Sequence, residues 1–165
     1  MIVRGKAWKY GDDIDTDQVY PGKYMNVGDL ADAVMHLMEG VDPDFGRCVR
    51  PGNLIVAGRN FGLGSSRGHV LPAMRYARLG VVVAESFSRL FFRNCIAEGV
   101  PVLECPGITA VVGYGDEIEV DFSTGEVRNL NTGQAITGVK LEPFMLDKVV
   151  SGGTIPMLRK RFQVQ

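Results

Sequence analysis

Three short, continuous apolar runs alternate with amphipathic segments in the middle of the chain. The runs cover residues 53–57, 80–84 and 100–103, a pattern that is typical of strands buried on both faces of a sheet. Between them, residues 70–79 and 86–98 carry apolar side chains at helical spacing. Strands that are separated by helices of this length pair in parallel, with the helices packed against the sheet. This region therefore predicts a parallel α/β core.

Capping residues set the limits of two predicted helices. Residues 28–39 place apolar side chains on one face, with Asp29 as the N-cap and Gly40 at the end. Ser86 and Gly99 have the same roles in the helix between the last two apolar strands. Asp and Ser side chains accept from the free N–H groups that begin a helix, and Gly adopts the left-handed conformation that often ends one.

The two ends of the chain predict a second kind of strand pairing. Residues 2–8 form a first strand, and residues 117–122 alternate apolar and polar side chains. Residues 126–130 and 134–139 follow after turn-forming sequences, as in antiparallel hairpins. Residues 144–150 predict a C-terminal helix. The expected fold class is α/β, with a mixed sheet that joins the parallel core to an antiparallel appendage.

Length and charge limit the classes of protein to consider. A chain of 165 residues suits a single domain over residues 1–165. Its 18 Lys and Arg nearly balance its 19 Asp and Glu, so the net charge is −1. Nucleic acid and anionic membranes are therefore not expected as partners. Apolar runs such as residues 81–84 are also too short to span a bilayer.

The cysteine and histidine content argues against a metal site on this chain. Cys48, Cys95 and Cys105 form no C-x-x-C pair, and His36 and His69 are far apart in sequence. An odd and sparse set of cysteines is typical of a reducing compartment. The expected location is cytoplasmic, and no metal ligands are predicted.

The glycine-rich segment 58–69 lies between a buried strand and a helix, and it is the strongest candidate site. Loop N–H groups and a helix N-terminus converge at such a point and can bind an anion. Glycines allow close approach of the backbone, hydroxyl groups donate hydrogen bonds, and an Arg binds a carboxylate or phosphate with its planar fork. The residues that supply this chemistry are Gly62, Gly64, Ser65, Ser66 and Arg67. The alternative is a tight strand-to-helix turn with a capping Ser and a surface Arg.

Two known ligand-binding patterns are approximated but not met. The loop resembles a dinucleotide-binding fingerprint with Glu85 about twenty residues on, but Arg67 occupies the third glycine position. The aspartates that begin at Asp13 suggest a calcium loop, but Gln18 and Tyr24 stand where that loop needs Gly and Glu. A solvated turn is the default for these aspartates, and one of them could instead orient a catalytic group.

Three further polar residues follow the loop in the chain. His69 could act in acid–base chemistry, or it could cap or pack against the helix that follows. Arg89 and Arg93 lie four residues apart on a predicted helix and are expected on a solvated face or beside carboxylates.

In combination, these motifs resemble the small subunits of 3-isopropylmalate dehydratase and their homoaconitase relatives, which correspond to the swivelling C-terminal domain of aconitase. The resemblance extends from Gly5 to about Arg161. The segments that carry it, in chain order, are Asp15-Thr16-Asp17, Tyr20-Pro21-Gly22-x-Tyr24, Asn60-Phe61-Gly62-x-Gly64-Ser65-Ser66-Arg67 and Ala84-Glu85-Ser86-Phe87-Ser88-Arg89-x-Phe91-Phe92-Arg93-Asn94.

The resemblance implies a three-layer β/β/α swivelling domain and a two-subunit hydro-lyase. It implies no cofactor on this chain and a separate large subunit that carries a [4Fe–4S] cluster on its own cysteines. The reaction would be the reversible dehydration and rehydration of a 2-hydroxy di- or tricarboxylate, with one open iron as the Lewis acid for the leaving hydroxyl.

The resemblance also assigns roles to individual residues. Ser65 would be the base that abstracts a proton, with Asp17 close to it in the assembled site. A serine can do this only in a closed site with N–H donors and a nearby cation. Arg67 would bind a substrate carboxylate with both arms of its guanidinium. The other residues expected at the substrate are Gly64, Ser66 and the specificity segment Tyr24, Met25, Asn26 and Val27.

This sequence departs from the family pattern at two kinds of position. Leu63 replaces a variable Cys, and Gly68 replaces a Glu that could orient Arg67. Asn26 and Val27 supply no cation for a distal carboxylate, so isopropylmalate or a methylated malate is favoured over homoaconitate. A non-catalytic carboxylate-binding domain and a phosphate-binding loop remain as alternatives.

Overall fold

A single mixed sheet organises the computed structural model, which describes residues 1–65 and 68–162. The strands are β1 Ile2–Lys9, β2 Leu54–Ala57, β3 Val82–Ala84, β4 Val102–Glu104, β5 Glu117–Asp121, β6 Glu126–Asn129 and β7 Ala135–Thr137. Their order in the sheet, within these residues, is β4-β3-β2-β1-β5-β6-β7. Strands β1 to β4 pair in parallel, whereas β5, β6 and β7 extend the sheet from β1 in antiparallel pairs. The predicted mixed sheet is confirmed.

The parallel half of the sheet forms the centre of the core. Every residue of β2 and β3 is buried, because helices and loops cover both faces of this half. Ile55 pairs with Trp8 on one side and with Val82 on the other. All these strands end at the same edge, where loops in α/β proteins usually carry the functional groups. The loop after β2 is the glycine-rich candidate.

Most of the helices pack around the parallel half. The helices are α1 Thr16–Val19, α2 Leu30–Val34, α3 Phe45–Cys48, α4 Val70–Tyr76, α5 Arg89–Glu98, α6 Ile108–Val111, α7 Pro143–Val150 and α8 Thr154–Phe162, with a 3₁₀ helix at Gly22–Tyr24. Helix α5 contacts α4, α7 and α8, and α6 lies against β2, β3 and β7. Gly99 ends α5 in the left-handed conformation, with φ of 74°, as predicted.

The helix predicted over residues 28–39 is much shorter than expected. Asp29 is its N-cap and accepts from the N–H of Ala31, as predicted, but α2 ends at Val34. Met38 has a φ of 60°, and its N–H donates to the Val19 carbonyl over 2.7 Å. A long-range hydrogen bond and a left-handed residue therefore replace the last turns of the predicted helix.

The predicted N-cap of α5 is also wrong by two residues. Ser88, not Ser86, accepts from the N–H of Phe91 and begins the helix. The hydroxyl oxygen of Ser86 instead accepts from the N–H of Asn60 over 2.9 Å. The side chain that was expected to begin α5 thus braces the candidate loop.

None of the helices in the described ranges combines the length and the apolar character that crossing a bilayer requires.

Candidate active site

Two loops run side by side at the edge of the sheet and position Ser65. They follow β1 and β2, which are parallel neighbours. The N–H of Gly62 donates to the Ile14 carbonyl, and the N–H of Thr16 donates to the Leu63 carbonyl, both over 2.8 Å. These backbone hydrogen bonds, together with the pairing of β1 and β2, fix the position of the two loops relative to each other.

Thr16 connects the aspartate loop directly to the candidate base. Its hydroxyl donates to the Ser65 carbonyl over 2.8 Å, and the residue is buried while Ser65 is exposed. Asp15 and Gln18 form a capping box that begins α1 at Thr16. Asp17, in the first turn of α1, is exposed and adjoins this contact in the chain. The structure thus brings the segments that contain Asp17 and Ser65 together.

The turn before Ser65 lies tightly against α5. Gly62 has a φ of 82°, and a Cβ at this position would lie 2.2 Å from Cγ of Phe91. Ser88 donates its hydroxyl to the Gly62 carbonyl over 2.6 Å. Gly64 also has a left-handed φ, of 93°. Both glycines are therefore required by backbone conformation, and Gly62 also by close packing.

A pair of left-handed residues braces the beginning of the loop. Asp13 and Asn60 have φ values of 57° and 58°, and the Asn60 amide donates to the Asp13 carboxylate over 2.7 Å. Next to them, the N–H of Arg59 donates to Asp12 over 2.7 Å. Asn and Asp tolerate this conformation better than other residues with side chains. This brace was not predicted from the sequence, although an Asn before Phe-Gly and an Asp-Asp pair are its visible signal.

The specificity segment begins in a 3₁₀ helix that is held by a small polar cluster. The Tyr24 ring stacks on His36 with 3.5 Å between centroids, and its hydroxyl donates to Glu39 over 2.8 Å. Glu39 also contacts His36 over 2.7 Å and Lys23 over 3.2 Å. Partial burial raises the pKa of Glu39, but hydrogen bonds from His36, Tyr24 and Lys23 lower it by more, so the net shift is downward. The cluster fixes the orientation of Tyr24 and pairs the Lys23 cation with the Glu39 carboxylate.

The rest of the specificity segment divides into packed and open positions. Met25 and Val27 are partly buried against the core, whereas Asn26 is exposed. Asn26 is therefore the side chain of these three that is most open to a bound molecule.

Tyr20 links this segment to the glycine-rich loop. Its hydroxyl donates to the Tyr24 carbonyl over 3.1 Å, and its ring lies parallel to His69 with 6.2 Å between centroids. His69 occupies the N-cap position of α4 without a side-chain capping bond, and its buried Nδ1 has no hydrogen-bond partner among the described residues. The packing interpretation of His69 is therefore supported over the capping one.

Among the described residues, Ser65 lines a small depression. The depression has a volume of about 10 Å³, and Gly64, Leu90 and Asn94 also line it. This is about the space of one water molecule, whereas pockets for small ligands measure about 300–1,000 Å³. Ser66 and Arg67, which were predicted to bind the substrate, lie outside the described residues.

Gly68, the main departure from the family pattern, is exposed and open. Its φ is outside the left-handed range, and a Cβ there would meet no atom within 4 Å. The described surroundings therefore leave room for a Cβ at this position.

Glu85, the acidic residue of the dinucleotide-like pattern, has structural partners. Glu85 accepts a very short hydrogen bond from Thr109, with Arg59 at 4.0 Å. The Thr109 hydroxyl lowers the pKa of Glu85 most, burial opposes this, and further N–H groups and Arg59 keep the net shift downward. The described residues contain no group of three or more potential metal ligands. Burial raises the pKa of the Cys95 thiol, and that of Cys105 to about 11.

The chain is similar to known proteins over the region that contains both loops. Residues 14–107, which include both loops, α5 and β4, match the aconitase C-terminal domain family. A 3-isopropylmalate dehydratase small subunit from Pyrobaculum calidifontis is 47% identical over 161 residues, which are 98% of this chain and 99% of the relative. The chain belongs to the family of 3-isopropylmalate dehydratase small subunits. A second relative, named isopropylmalate/citramalate isomerase small subunit, from Methanocaldococcus jannaschii, is 44% identical over 97% of this chain and 95% of its own.

A solved structure extends the agreement to the fold. The crystal structure described as 3-isopropylmalate dehydratase from Methanocaldococcus jannaschii superimposes with a TM-score of 0.93. It is 35% identical in sequence, and the match covers 100% of this chain and 98% of that one. The swivelling-domain fold that the resemblance implied is confirmed.

Proposed function

We propose that this chain is the small subunit of a hydro-lyase that isomerises 3-isopropylmalate and 2-isopropylmalate in leucine biosynthesis. The reaction is dehydration followed by rehydration at the neighbouring carbon, and it requires a large subunit. The observation that carries the proposal is the position of Ser65, which is exposed on a loop braced by Thr16 and by α5. A rigid loop that presents a hydroxyl at the surface suits a site that a second protein completes.

The shallow depression at Ser65 supports the two-subunit form of the proposal. With a volume of about 10 Å³, it is far smaller than a dicarboxylate needs. The substrate would therefore lie between the two subunits, with most of its binding surface on the large one. We assign the [4Fe–4S] cluster to the large subunit as well, since the described cysteines here are either buried with raised pKa or isolated at the surface.

In the proposed reaction, Ser65 moves the proton. Its alkoxide would take a proton from the carbon next to a carboxylate, and the C–H electrons would form the double bond. The hydroxyl would leave the adjacent carbon with the C–O electrons as hydroxide, which becomes water when it is protonated. Rehydration reverses these steps with the two carbons exchanged. Such a base needs water to be excluded and negative charge to be stabilised, for which we propose the loop N–H groups, Ser66 and Arg67. Asp17 would orient groups around Ser65 from the neighbouring helix.

The specificity segment supports a substrate with an apolar side chain. Met25 and Val27 are apolar and Asn26 is uncharged, while the nearby cation Lys23 already pairs with Glu39. A second distal carboxylate, as in homoaconitate, would find no free cation in this segment. We therefore propose isopropylmalate, with a methylated malate such as citramalate as the related substrate.

The proposal includes two further expectations. Residues 1–165 would act as one domain, which the continuous sheet from β4 to β7 supports. The protein would work in the cytoplasm, which three unpaired cysteines support.

Reconstitution with a cluster-bearing large subunit tests the function. The pair should convert 3-isopropylmalate, and Ser65→Ala should reduce kcat by at least about 100-fold while binding to the large subunit is retained. Ser123→Ala, at an exposed turn, serves as the matched control and should keep wild-type kcat. Full activity of Ser65→Ala would overturn the assignment of the base.

Calorimetry on the isolated chain tests the alternative of a carboxylate-binding domain, which Gly68 in place of the family's Glu favours. We expect no measurable binding of isopropylmalate without the large subunit. Tight binding by the isolated chain would support the non-catalytic function instead.

A further inference from the structure

Two adjoining hollows form a long groove between α5 and α7. Their volumes are about 390 and 460 Å³, and both are lined by Phe92, Arg93 and Met145. We refer to this surface as the α5–α7 groove. It is formed mainly by Arg89, Leu90, Phe92 and Arg93 of α5 and by Phe144 and Met145 of α7.

The groove exposes large apolar side chains at the surface. Leu90 is 49% exposed and Phe144 is 55% exposed, while Phe92 and Met145 are partly buried in the floor. A contiguous apolar surface of this kind usually marks an interaction site.

The cations of the groove lack counterions on this chain. Within the described residues, Arg89, Arg93 and Lys140 are exposed and form no salt bridge or hydrogen bond. Some other exposed arginines are paired, such as Arg4 with Glu119 over 2.6 Å. Glu104 and Glu142 also line the first hollow, so the cations there outnumber the carboxylates. The groove is thus ready to accept acidic groups from another molecule.

The groove continues into the candidate active site. Leu90 and Asn94 line both the larger hollow and the depression at Ser65. Whatever protein covers Ser65 must therefore extend over Leu90 and reach the groove.

We infer that the α5–α7 groove is the docking surface for the large subunit, an inference that rests on the proposed function. The partner would insert apolar side chains over Phe92 and Met145 and place carboxylates against Arg89 and Arg93. Aromatic residues, Met and Arg are the residue types that are enriched in protein interfaces, and Arg is frequent among those that dominate binding. A second copy of this chain fits less well, because it would cover the edge of the Ser65 depression and block the large subunit.

Charge reversal tests the inference directly. The double variant Arg89→Glu, Arg93→Glu should bind the large subunit at least about tenfold more weakly, mainly through slower association and with less dependence on salt. The matched control is Lys160→Glu, Arg161→Glu, which makes the same change in charge at exposed positions on α8 that line neither hollow. It should bind as the wild type does. Calorimetry at two salt concentrations measures the affinity and its dependence on salt.

A second variant keeps the test valid if the reversal does not fold. Arg89→Gln, Arg93→Gln removes the charges without adding new ones, and the thermal unfolding midpoint of each variant checks its folding. This variant should also weaken binding, by less than the reversal does.

The outcomes separate this inference from the proposed function. Wild-type affinity and salt dependence in both groove variants would overturn the docking surface while turnover by the wild-type pair still supports the function. Wild-type pairs that bind through the groove but convert no alkylmalate would overturn the function and leave the docking surface supported. A loss of self-association only, seen by analytical ultracentrifugation, would assign the groove to a second copy and overturn the inference.

Discussion

The buried hydroxyl of Thr16 donates a hydrogen bond to the carbonyl of Ser65 over 2.8 Å, across 49 positions of the chain. Thr16 is 4% exposed, so its side chain is held by packing as well as by this bond. It joins the first turn of α1 to the residue that we propose as the base.

Removal of this hydroxyl should reduce activity more than stability. We expect Thr16→Val to lower the free energy of unfolding by about 1 kcal/mol, since one hydrogen bond is lost. The kcat should fall at least about tenfold, because small displacements of a reacting group are costly. Urea unfolding and steady-state kinetics of the reconstituted pair measure the two effects. Thr16→Ser keeps the hydroxyl and should retain most of the kcat. Equal kcat in wild type and Thr16→Val would show that this contact does not position Ser65.

The hydroxyl of Tyr24 should influence the choice of substrate. Tyr24→Phe removes the bond to Glu39 and frees the specificity segment to move. We expect the ratio of kcat/KM for isopropylmalate and citramalate to change by about two- to tenfold, the range of one hydrogen bond. Tyr114→Phe, at a residue that is 62% exposed, is the matched control and should leave the ratio unchanged. An unchanged ratio in Tyr24→Phe would show that the polar cluster does not influence the choice of substrate.

Addition of a methyl group at Gly62 should strongly destabilise the protein. Gly62→Ala combines a left-handed φ with a clash against the Phe91 ring, and we expect a loss of about 2–5 kcal/mol in the free energy of unfolding. Gly28→Ala has open space and no left-handed φ, so its free energy of unfolding should stay within about 1 kcal/mol of wild type. Chemical denaturation of both variants gives the comparison, and similar values for the two would disprove the packing argument.

The carboxylate of Glu85 should contribute to stability in a pH-dependent way. Its pKa lies below the ordinary value of 4.5 because Thr109 and nearby N–H groups stabilise the charged form. A group with a lowered folded pKa stabilises the fold above its unfolded pKa, and the contribution disappears as the pH falls through the folded value. The difference in the free energy of unfolding between wild type and Glu85→Gln should therefore be largest above pH 4.5. It should become smaller as the pH falls further.

Thr109→Val provides the matched test for this contribution, since it removes the main hydrogen-bond donor to Glu85. The double variant should lose less than the sum of the single losses, because the two residues share one interaction. Denaturation curves between about pH 6 and about pH 3 measure all four proteins. A constant difference between wild type and Glu85→Gln across this range would contradict the prediction.

Prediction succeeded where local pattern and tertiary structure agree. The apolar runs that became β2 and β3 are buried throughout, so their sequence reflects their environment directly. Gly99 was recognisable as the end of α5 because a left-handed residue there needs no partner elsewhere in the chain.

Prediction failed where a distant residue competes with the local pattern. The helix over residues 28–39 has the right periodicity, but Met38 bonds to Val19 and leaves the helix. Ser86 has the right chemistry for an N-cap, but Asn60 takes its hydroxyl oxygen. In both cases the deciding partner lies outside any local sequence window.

The sequence by itself determined the α/β class, the buried parallel strands and the motifs that mark the candidate site, because apolar periodicity and short motifs are local properties. Only the tertiary structure decided that Thr16 holds Ser65, that Glu39 holds Tyr24, and that Arg89 and Arg93 border an open groove. These relationships join residues that are distant in the chain, and their geometry exists only after the strands have paired.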